Sequence, residues 1–109
     1  MNENSYQQVT QEAAKEMMDT QEVVLLDVRE QHEYDSGHIP GAVLLPVGTI
    51  TEDTAAAVID DPDTVVLVYC RSGNRSKKAS EKLVKLGYTN IVEFGGINTW
   101  PGETVSGNG

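Results

Sequence analysis

The chain is poor in cysteine, histidine, aromatic residues and cations. Its 109 residues include one cysteine, two histidines, one phenylalanine and one tryptophan, with 8 lysines and arginines against 17 aspartates and glutamates. A single cysteine cannot form an internal disulfide, and one cysteine with two histidines does not make a convincing ligand set for a metal ion. We therefore expect no disulfide, no metal and no cofactor.

Long hydrophobic runs are also absent. Residues 1–20 are polar and acidic without the apolar segment of a signal peptide, and no stretch approaches the roughly 18 apolar residues that a membrane helix needs. We therefore expect no membrane partner. We expect a cytoplasmic protein, because a free thiol persists in that compartment.

The few cations are concentrated in one segment. Six of the eight lie in residues 71–85, where Glu81 is the only acidic residue, in a chain whose net charge is −9. A local positive field attracts small anions, while the acidic remainder of the surface opposes nucleic acid. Lys77 and Lys78 would lie near a helix N-terminus, against the helix dipole, so an ordinary solvated helix face explains them poorly. We expect an anion-directed role for this cationic cluster, which consists of Arg71, Arg75, Lys77, Lys78, Lys82 and Lys85.

The length predicts a single domain spanning residues 1–109, with loose ends at about 1–5 and 103–109. Val23–Val28 and Val65–Tyr69 are continuous apolar runs, which are typical of parallel strands covered on both faces. With the intervening helices they predict an α/β fold, a small and mainly parallel central sheet flanked by helices on both faces. The other predicted elements are a helix over Gln11–Asp19 with Thr10 as N-cap, a helical segment at about Glu52–Ile59, a helix over Arg75–Leu86 with Gly87 in the C′ position, and strands at Ala42–Leu45 and Ile91–Phe94.

The only cysteine stands between a predicted strand and a predicted helix. Cys70 ends the run Val65–Tyr69, and a loop containing Gly73 leads into the helix. Free backbone N–H groups of such a loop point at the sulfur and favour its thiolate. Asp27 also follows an apolar strand, so we expect it at the same edge of the sheet.

Three separated motifs together resemble the rhodanese family of sulfurtransferases, from about Val9 to Pro101. The first is Leu26-Asp27-Val28-Arg29-Glu30 with Glu33-Tyr34, and the second is Gly37-His38-Ile39-Pro40-Gly41-Ala42. The third is the loop from Cys70 to Ser76, followed by Gly95-Gly96-Ile97-Asn98-Thr99-Trp100. The order and spacing of these motifs carry the resemblance, and the single copy looks like the compact bacterial type.

The resemblance implies that Cys70 carries a transferable sulfur as a persulfide. It also implies that Arg75 points away from the sulfur and braces the loop through a carboxylate, although the direction of its side chain stays open. Arg71 is the expected contact for an incoming anion. The loop residues expected to bind substrate or line the site are Arg71, Ser72, Gly73, Asn74, Arg75 and Ser76.

The thiolate of Cys70 determines the expected sulfur-transfer reaction. It can attack the sulfane sulfur of thiosulfate and release sulfite, after which cyanide or a thiol removes the sulfur from Cys70 in a second half-reaction. The expected partners are a small anionic sulfur donor and a thiol or cyanide acceptor. Glutathione persulfide, a cysteine desulfurase or another sulfur-relay protein are equally compatible with the site.

Four further residues are expected to support the loop rather than react. Asp27 is expected to hydrogen-bond loop amides or an arginine, while Arg29 and Glu33 are interpreted as an ion pair or loop clamp. His38, in a Gly-His-Ile-Pro turn, is interpreted as a structural hydrogen-bonding group.

Three other functions compete with sulfur transfer. Phosphatases and arsenate reductases of the same fold use a Cys-x5-Arg loop, but only four residues separate Cys70 from Arg75, and the smaller ring suits sulfur better than phosphate. A thiol redox switch would normally need a second cysteine. A binding module or sulfur carrier for a protein partner is the remaining alternative, although a module with a dead site usually loses the cysteine.

Overall fold

The computed structural model describes residues 5–107, so the outermost parts of the two expected loose ends, residues 1–4 and 108–109, lie outside the described residues. The described chain forms five strands and four α-helices, with short 3-10 turns at Val47–Thr49 and Ile97–Thr99. The strands and helices are β1 (Gln7–Gln8), α1 (Gln11–Thr20), β2 (Val24–Asp27), α2 (Gln31–Ser36), β3 (Val43–Leu44), α3 (Glu52–Val58), β4 (Val66–Cys70), α4 (Asn74–Lys85) and β5 (Ile91–Gly96).

The five strands form one parallel sheet in the order β1-β5-β4-β2-β3. The predicted α/β fold is therefore confirmed. Alternate side chains of each strand enter different cores: Val66, Val68 and Cys70 pack with α3 and α4 on one face. Leu67 and Tyr69 pack with α1 on the other face. This two-sided burial explains why the central strands are apolar without alternation.

A bulge in β5, opposite the end of β4, places the cysteine. Val68 pairs with Glu93, but Cys70 pairs with Gly96, so β5 contributes one extra residue between the two pairs. The carboxyl ends of β2 and β4 lie side by side, with Asp27 paired to Tyr69. The expectation that Asp27 and Cys70 share one edge of the sheet is therefore confirmed.

Helix α4 begins directly after the cysteine loop. Gly73 is its N-cap and has φ +108°, a left-handed conformation that glycine adopts without strain. Gly87 follows the helix with φ +105°, which confirms the predicted C′ glycine. Leu86 differs from the prediction: it is the C-cap, after the last helical residue, and is 37% exposed.

Two regions differ from the sequence-based description. No helix was predicted before Gly37, but residues Gln31–Ser36 form α2, whose start is fixed by a capping box between Glu30 and Glu33. Part of the expected loose C-terminal end is also held in place. Val105 exchanges two backbone hydrogen bonds with His38, at 2.7 and 2.8 Å, and Gly107 donates one to Asp35.

Candidate active site

The sulfur of Cys70 lies at the centre of the loop that joins β4 to α4. The Gly73 N–H donates to Sγ at 3.0 Å, and Ser76 Oγ lies 3.4 Å from Sγ. Burial alone would raise the pKa of the Cys70 thiol, but hydrogen bonding with the Ser76 side chain and with the N–H groups of Ser76, Gly73 and Ser72 outweighs this effect. The net effect is a pKa below the usual value for cysteine. The loop thus favours the nucleophilic form of the sulfur without a histidine base.

A cavity with two arginines in its lining adjoins the loop. A cavity of about 320 Å³ is lined by Arg71 with Arg29, Glu33, Ser36, Ile97 and Asn98. Arg71 is exposed there, and Lys77 and Lys78 are exposed on the first turns of α4. Cys70 is 1% exposed and does not line the cavity. The sulfur is therefore covered by the surrounding loop and side chains.

Arg75 points away from the sulfur and braces the loop. Its guanidinium makes two hydrogen bonds to the Glu33 carboxylate, at 2.6 and 2.9 Å, a bidentate pair that joins α4 to α2. This pairing lowers the pKa of Glu33 to about 2. The direction that the sequence left open is thus settled in favour of a carboxylate partner, and Arg71 is the loop arginine without an ion pair among the described residues.

The ion pair expected as one alternative for Arg29 and Glu33 is wrong, whereas the other alternative, a loop clamp, describes Glu33 through its pair with Arg75. Arg29 turns back to Asp27, with Nε donating to Oδ1 at 2.9 Å and Nη2 to Oδ2 at 2.6 Å. Tyr69 donates its hydroxyl to the same carboxylate, and Arg29 also donates to the Gly37 carbonyl. Arg29 and Asp27 are both buried, so each charge needs a partner within hydrogen-bonding distance, while Glu33 is paired with Arg75. Asp27 contacts an arginine, one of the two expected partners.

His38 is buried within the turn that follows α2. Its Nδ1–H donates to the Tyr34 carbonyl at 2.8 Å, and the two rings stack with centroids 3.7 Å apart. The backbone of His38 pairs with Val105. These contacts agree with the expected structural hydrogen-bonding group.

Two residues of the site were missed by sequence reasoning. Glu93 is 2% exposed and accepts a hydrogen bond from the Ser76 hydroxyl, whose oxygen also lies 3.4 Å from the sulfur. The signal was a charged residue inside the apolar run Ile91–Phe94. Gly96 was noted only as part of a motif, yet its backbone touches the loop so closely that an added Cβ would lie 2.0 Å from the Arg71 carbonyl oxygen.

A second cavity, of about 660 Å³, lies near the start of β2 and β4. Its lining includes Glu22, Asp60 and Asp63 but no lysine, arginine, histidine or cysteine. Within residues 5–107, no three His, Cys, Asp or Glu side chains are grouped so that they could hold a metal ion. Over the same described range, none of the helices has both the length and the apolar character to span a membrane.

Comparison with known proteins gives a consistent assignment. A family model described as a rhodanese-like domain matches residues 10–103. A thiosulfate sulfurtransferase of Escherichia coli, PspE, is 40% identical over 72 residues, covering 66% of this chain and 68% of that protein. Another, GlpE of Coxiella burnetii, is 32% identical and covers 87% of each chain. The putative sulfur carrier protein YrkF of Bacillus subtilis is 33% identical over 94% of this chain, but the chain spans only 55% of its length.

Solved structures agree with the sequence relatives. A rhodanese with anions from E. coli superposes with a TM-score of 0.73 at 30% identity, covering 79% of this chain and all of that one. A thiosulfate sulfurtransferase from Pseudomonas aeruginosa superposes with a TM-score of 0.84 at 26% identity, covering 94% of this chain and 20% of that protein.

Proposed function

The chain belongs to the rhodanese family, and from that membership we propose that it is a sulfurtransferase that carries sulfane sulfur as a persulfide on Cys70. The observation that carries the proposal is the sulfur of Cys70, held among loop N–H groups that lower its pKa. In this proposal residues 1–109 act as one domain in the cytoplasm, where the free thiol stays reduced.

The first half-reaction is a displacement at sulfur. The Cys70 thiolate attacks the outer sulfur of thiosulfate, a new S–S bond forms, and the S–S bond of thiosulfate breaks. Sulfite leaves with the electron pair, and the outer sulfur remains on Cys70. The loop N–H groups stabilise the negative charge of the persulfide, as an oxyanion hole does for oxygen.

The second half-reaction regenerates the thiolate. Cyanide or a thiolate attacks the outer sulfur of the persulfide, and the Cys70 sulfur leaves with the electron pair of the S–S bond. Sulfite leaves in the first half-reaction, before the acceptor reacts in the second, so the proposal requires ping-pong kinetics.

Arg71 is the proposed binding group for the anionic donor. It is exposed and lines the cavity beside the loop, while the other loop arginine is occupied by Glu33. The proposed supporting roles follow from the contacts: Glu33 fixes the loop through Arg75, Asp27 and Arg29 fix each other, and His38 fixes the turn after α2.

A protein sulfur carrier is the second candidate. The relative named as a putative sulfur carrier supports it, and a cysteine desulfurase or another relay protein would then be the donor. The two candidates share the Cys70 persulfide and differ in turnover, since a carrier loads from a protein persulfide without efficient turnover of thiosulfate.

Replacement of the nucleophile tests the proposal. Cys70→Ser is expected to abolish transfer from thiosulfate to cyanide, because Cys70 is the chain's only thiol. Circular dichroism and urea unfolding serve as the control for an intact fold. Retention of more than about a tenth of wild-type turnover by a folded variant would rule out the covalent mechanism.

A further inference from the structure

The buried carboxylate of Glu93 is linked to the Cys70 sulfur through Ser76. Oε2 of Glu93 accepts hydrogen bonds from the Ser76 hydroxyl at 2.5 Å and from the Gly95 N–H at 2.9 Å. Oε1 accepts one from the Gln8 side chain at 3.2 Å. No ion pair of residues 5–107 includes Glu93. A carboxylate buried without a cation is costly, so its protonation state needs a physical account.

The hydroxyl of Ser76 links Glu93 to the sulfur and has only one hydrogen. If that hydrogen points to Glu93, a hydrogen bond between Ser76 and the sulfur requires an S–H donor, so Cys70 is a thiol. If it points to a Cys70 thiolate, a hydrogen bond between Ser76 and Glu93 requires a proton on Glu93. Both arrangements satisfy the 3.4 Å and 2.5 Å contacts, and each contains one acidic proton.

We propose that Cys70 and Glu93 share one proton through Ser76. When the thiolate forms, the S–H bond of Cys70 breaks and its electron pair stays on Sγ. The proton passes to Ser76 Oγ, and the original hydroxyl proton of Ser76 passes to Oε2 of Glu93. No proton leaves the protein, and the set carries one negative charge before and after the transfer.

Other charged or titratable groups face this set without offering a path for the proton. Arg75 interacts with the charge of Cys70 from α4 but is paired with Glu33. Tyr6 faces Glu93 from the segment before β1, and its pKa is raised by burial and then by Glu81 and Glu93. Of the three groups that hydrogen-bond Glu93, only the Ser76 hydroxyl can both give and receive a proton.

The shared proton has a consequence for the substrate. Thiosulfate carries two negative charges, and two further anions below the loop would oppose its approach. With the proton on Glu93, the thiolate is the only anion of the set, and the attack begins without that extra repulsion. Glu93 acts through Ser76, so it is a positioning residue for the proton and does not touch the donor.

This inference rests on Cys70 as the nucleophile of the proposed function, but it can be tested without sulfur transfer. Thiolate absorbance and the rate of alkylation by iodoacetamide are measured against pH in the reduced wild-type protein, in Glu93→Gln and in the control Glu81→Gln. Glu81 is exposed on α4, so Glu81→Gln also removes one negative charge, but at a position away from Ser76.

The wild type is expected to form thiolate in two steps, because ionisation of one member opposes ionisation of the other. Glu93→Gln is expected to show one step, and Glu81→Gln to match the wild type. If the two proton arrangements are equally populated, alkylation at neutral pH should be about twofold faster in Glu93→Gln. A single step in the wild type, or the same profile in Glu93→Gln, would overturn the proposal in favour of a structural role.

Infrared spectroscopy supplies a readout that needs no variant. Alkylation converts Cys70 to a neutral thioether, so the Ser76 hydroxyl turns to Glu93 and the proton of Glu93 passes to water. The band of a protonated carboxyl should therefore be lost from the wild type on alkylation. A band that persists after alkylation, or that is absent both before and after it, would contradict the shared proton. If alkylation removes the band but the protein transfers sulfur from no donor, only the proposed function is overturned.

Discussion

Cys70 differs from an ordinary buried cysteine in the groups that surround its sulfur. Isolated buried cysteines behave as small apolar side chains, and burial alone would keep this one protonated. Here the hydroxyl and N–H groups of Ser76, with the N–H groups of Gly73 and Ser72, reverse that effect. The pKa of the Cys70 thiol therefore depends on the path of the loop from Arg71 to Ser76, which the pair of Arg75 with Glu33 braces.

The Glu33–Arg75 pair should make stability depend on pH. Its partner lowers the pKa of Glu33 from 4.5 to about 2, so this contribution is complete above about pH 4.5 and is lost as the pH falls towards about 2. Glu33→Gln should lower the free energy of unfolding by about 1–2 kcal/mol at neutral pH, a value reduced for partial exposure of the pair. Urea unfolding at a series of pH values measures this difference.

The difference between wild type and Glu33→Gln should shrink at low pH, since a protonated glutamate resembles glutamine. Glu16→Gln, at an exposed position on α1, is the control and should show little effect at any pH. A difference that stays constant from neutral to acidic pH would show that packing, and not the ion pair, accounts for the loss.

Individual contacts were the least predictable part of the site. The sequence identified Cys70 and its loop because a lone thiol after an apolar strand is a local pattern. It did not predict that Arg29 would pair with Asp27, since two cations and two carboxylates at one edge can pair in more than one way. Glu93 was missed because its partner Ser76 is 17 residues away and meets it only in the folded sheet.

At the scale of elements, the site is made by the junction of β4, β5 and α4. The bulge brings Gly96 against the first residues of the cysteine loop, and Gly73 starts α4 without strain. The central strands and α4 were predicted closely, because their apolar runs and terminal glycines are local signals. α2 and β1 were not: α2 is a short helix begun by a capping box, and β1 is an exposed pair of residues at the edge of the sheet.

Gly96→Ala should displace the cysteine loop. A Cβ at this position would lie 2.0 Å from the Arg71 carbonyl oxygen and 2.6 Å from the Ser72 nitrogen, and both atoms belong to the backbone. The chain around Gly96 is extended, so the clash is steric and not conformational. We expect a loss of about 1–3 kcal/mol in the free energy of unfolding, together with loss of sulfur transfer.

Urea unfolding and kcat/KM for thiosulfate measure the two effects. Gly48→Ala is the matched control, because an added Cβ at Gly48 would meet nothing within 4 Å. Wild-type kcat/KM in Gly96→Ala would show that the loop tolerates displacement and that its contact with β5 does not set the site.

At the scale of the whole molecule, the main feature is an acidic protein with a local cationic surface. The net charge is −9, yet Arg71, Lys77 and Lys78 are exposed together at the loop and the start of α4. Lys82 contributes less to this exposed surface, because it is partly buried and its amino group donates a hydrogen bond to the Val47 carbonyl. The predicted anion-directed cluster is thus centred on the loop end of the helix.

Lys77→Gln combined with Lys78→Gln should lower kcat/KM for thiosulfate at low ionic strength. The effect should disappear in about 1 M salt, where the Debye length falls to about 3 Å. Lys15→Gln, on α1, is the control and should change kcat/KM little. Equal kcat/KM in wild type and the double variant at low salt would identify these lysines as an ordinary solvated helix face.

The central claim, a persulfide on Cys70, is tested most directly by the intact mass of the protein after incubation with thiosulfate without reductant. We expect a mass increase of one sulfur atom, located on Cys70 by fragmentation, reversed by cyanide and absent from Cys70→Ser. An unchanged mass in the wild type after treatment with thiosulfate or a persulfide donor, or an added sulfur located at another residue, would contradict the account.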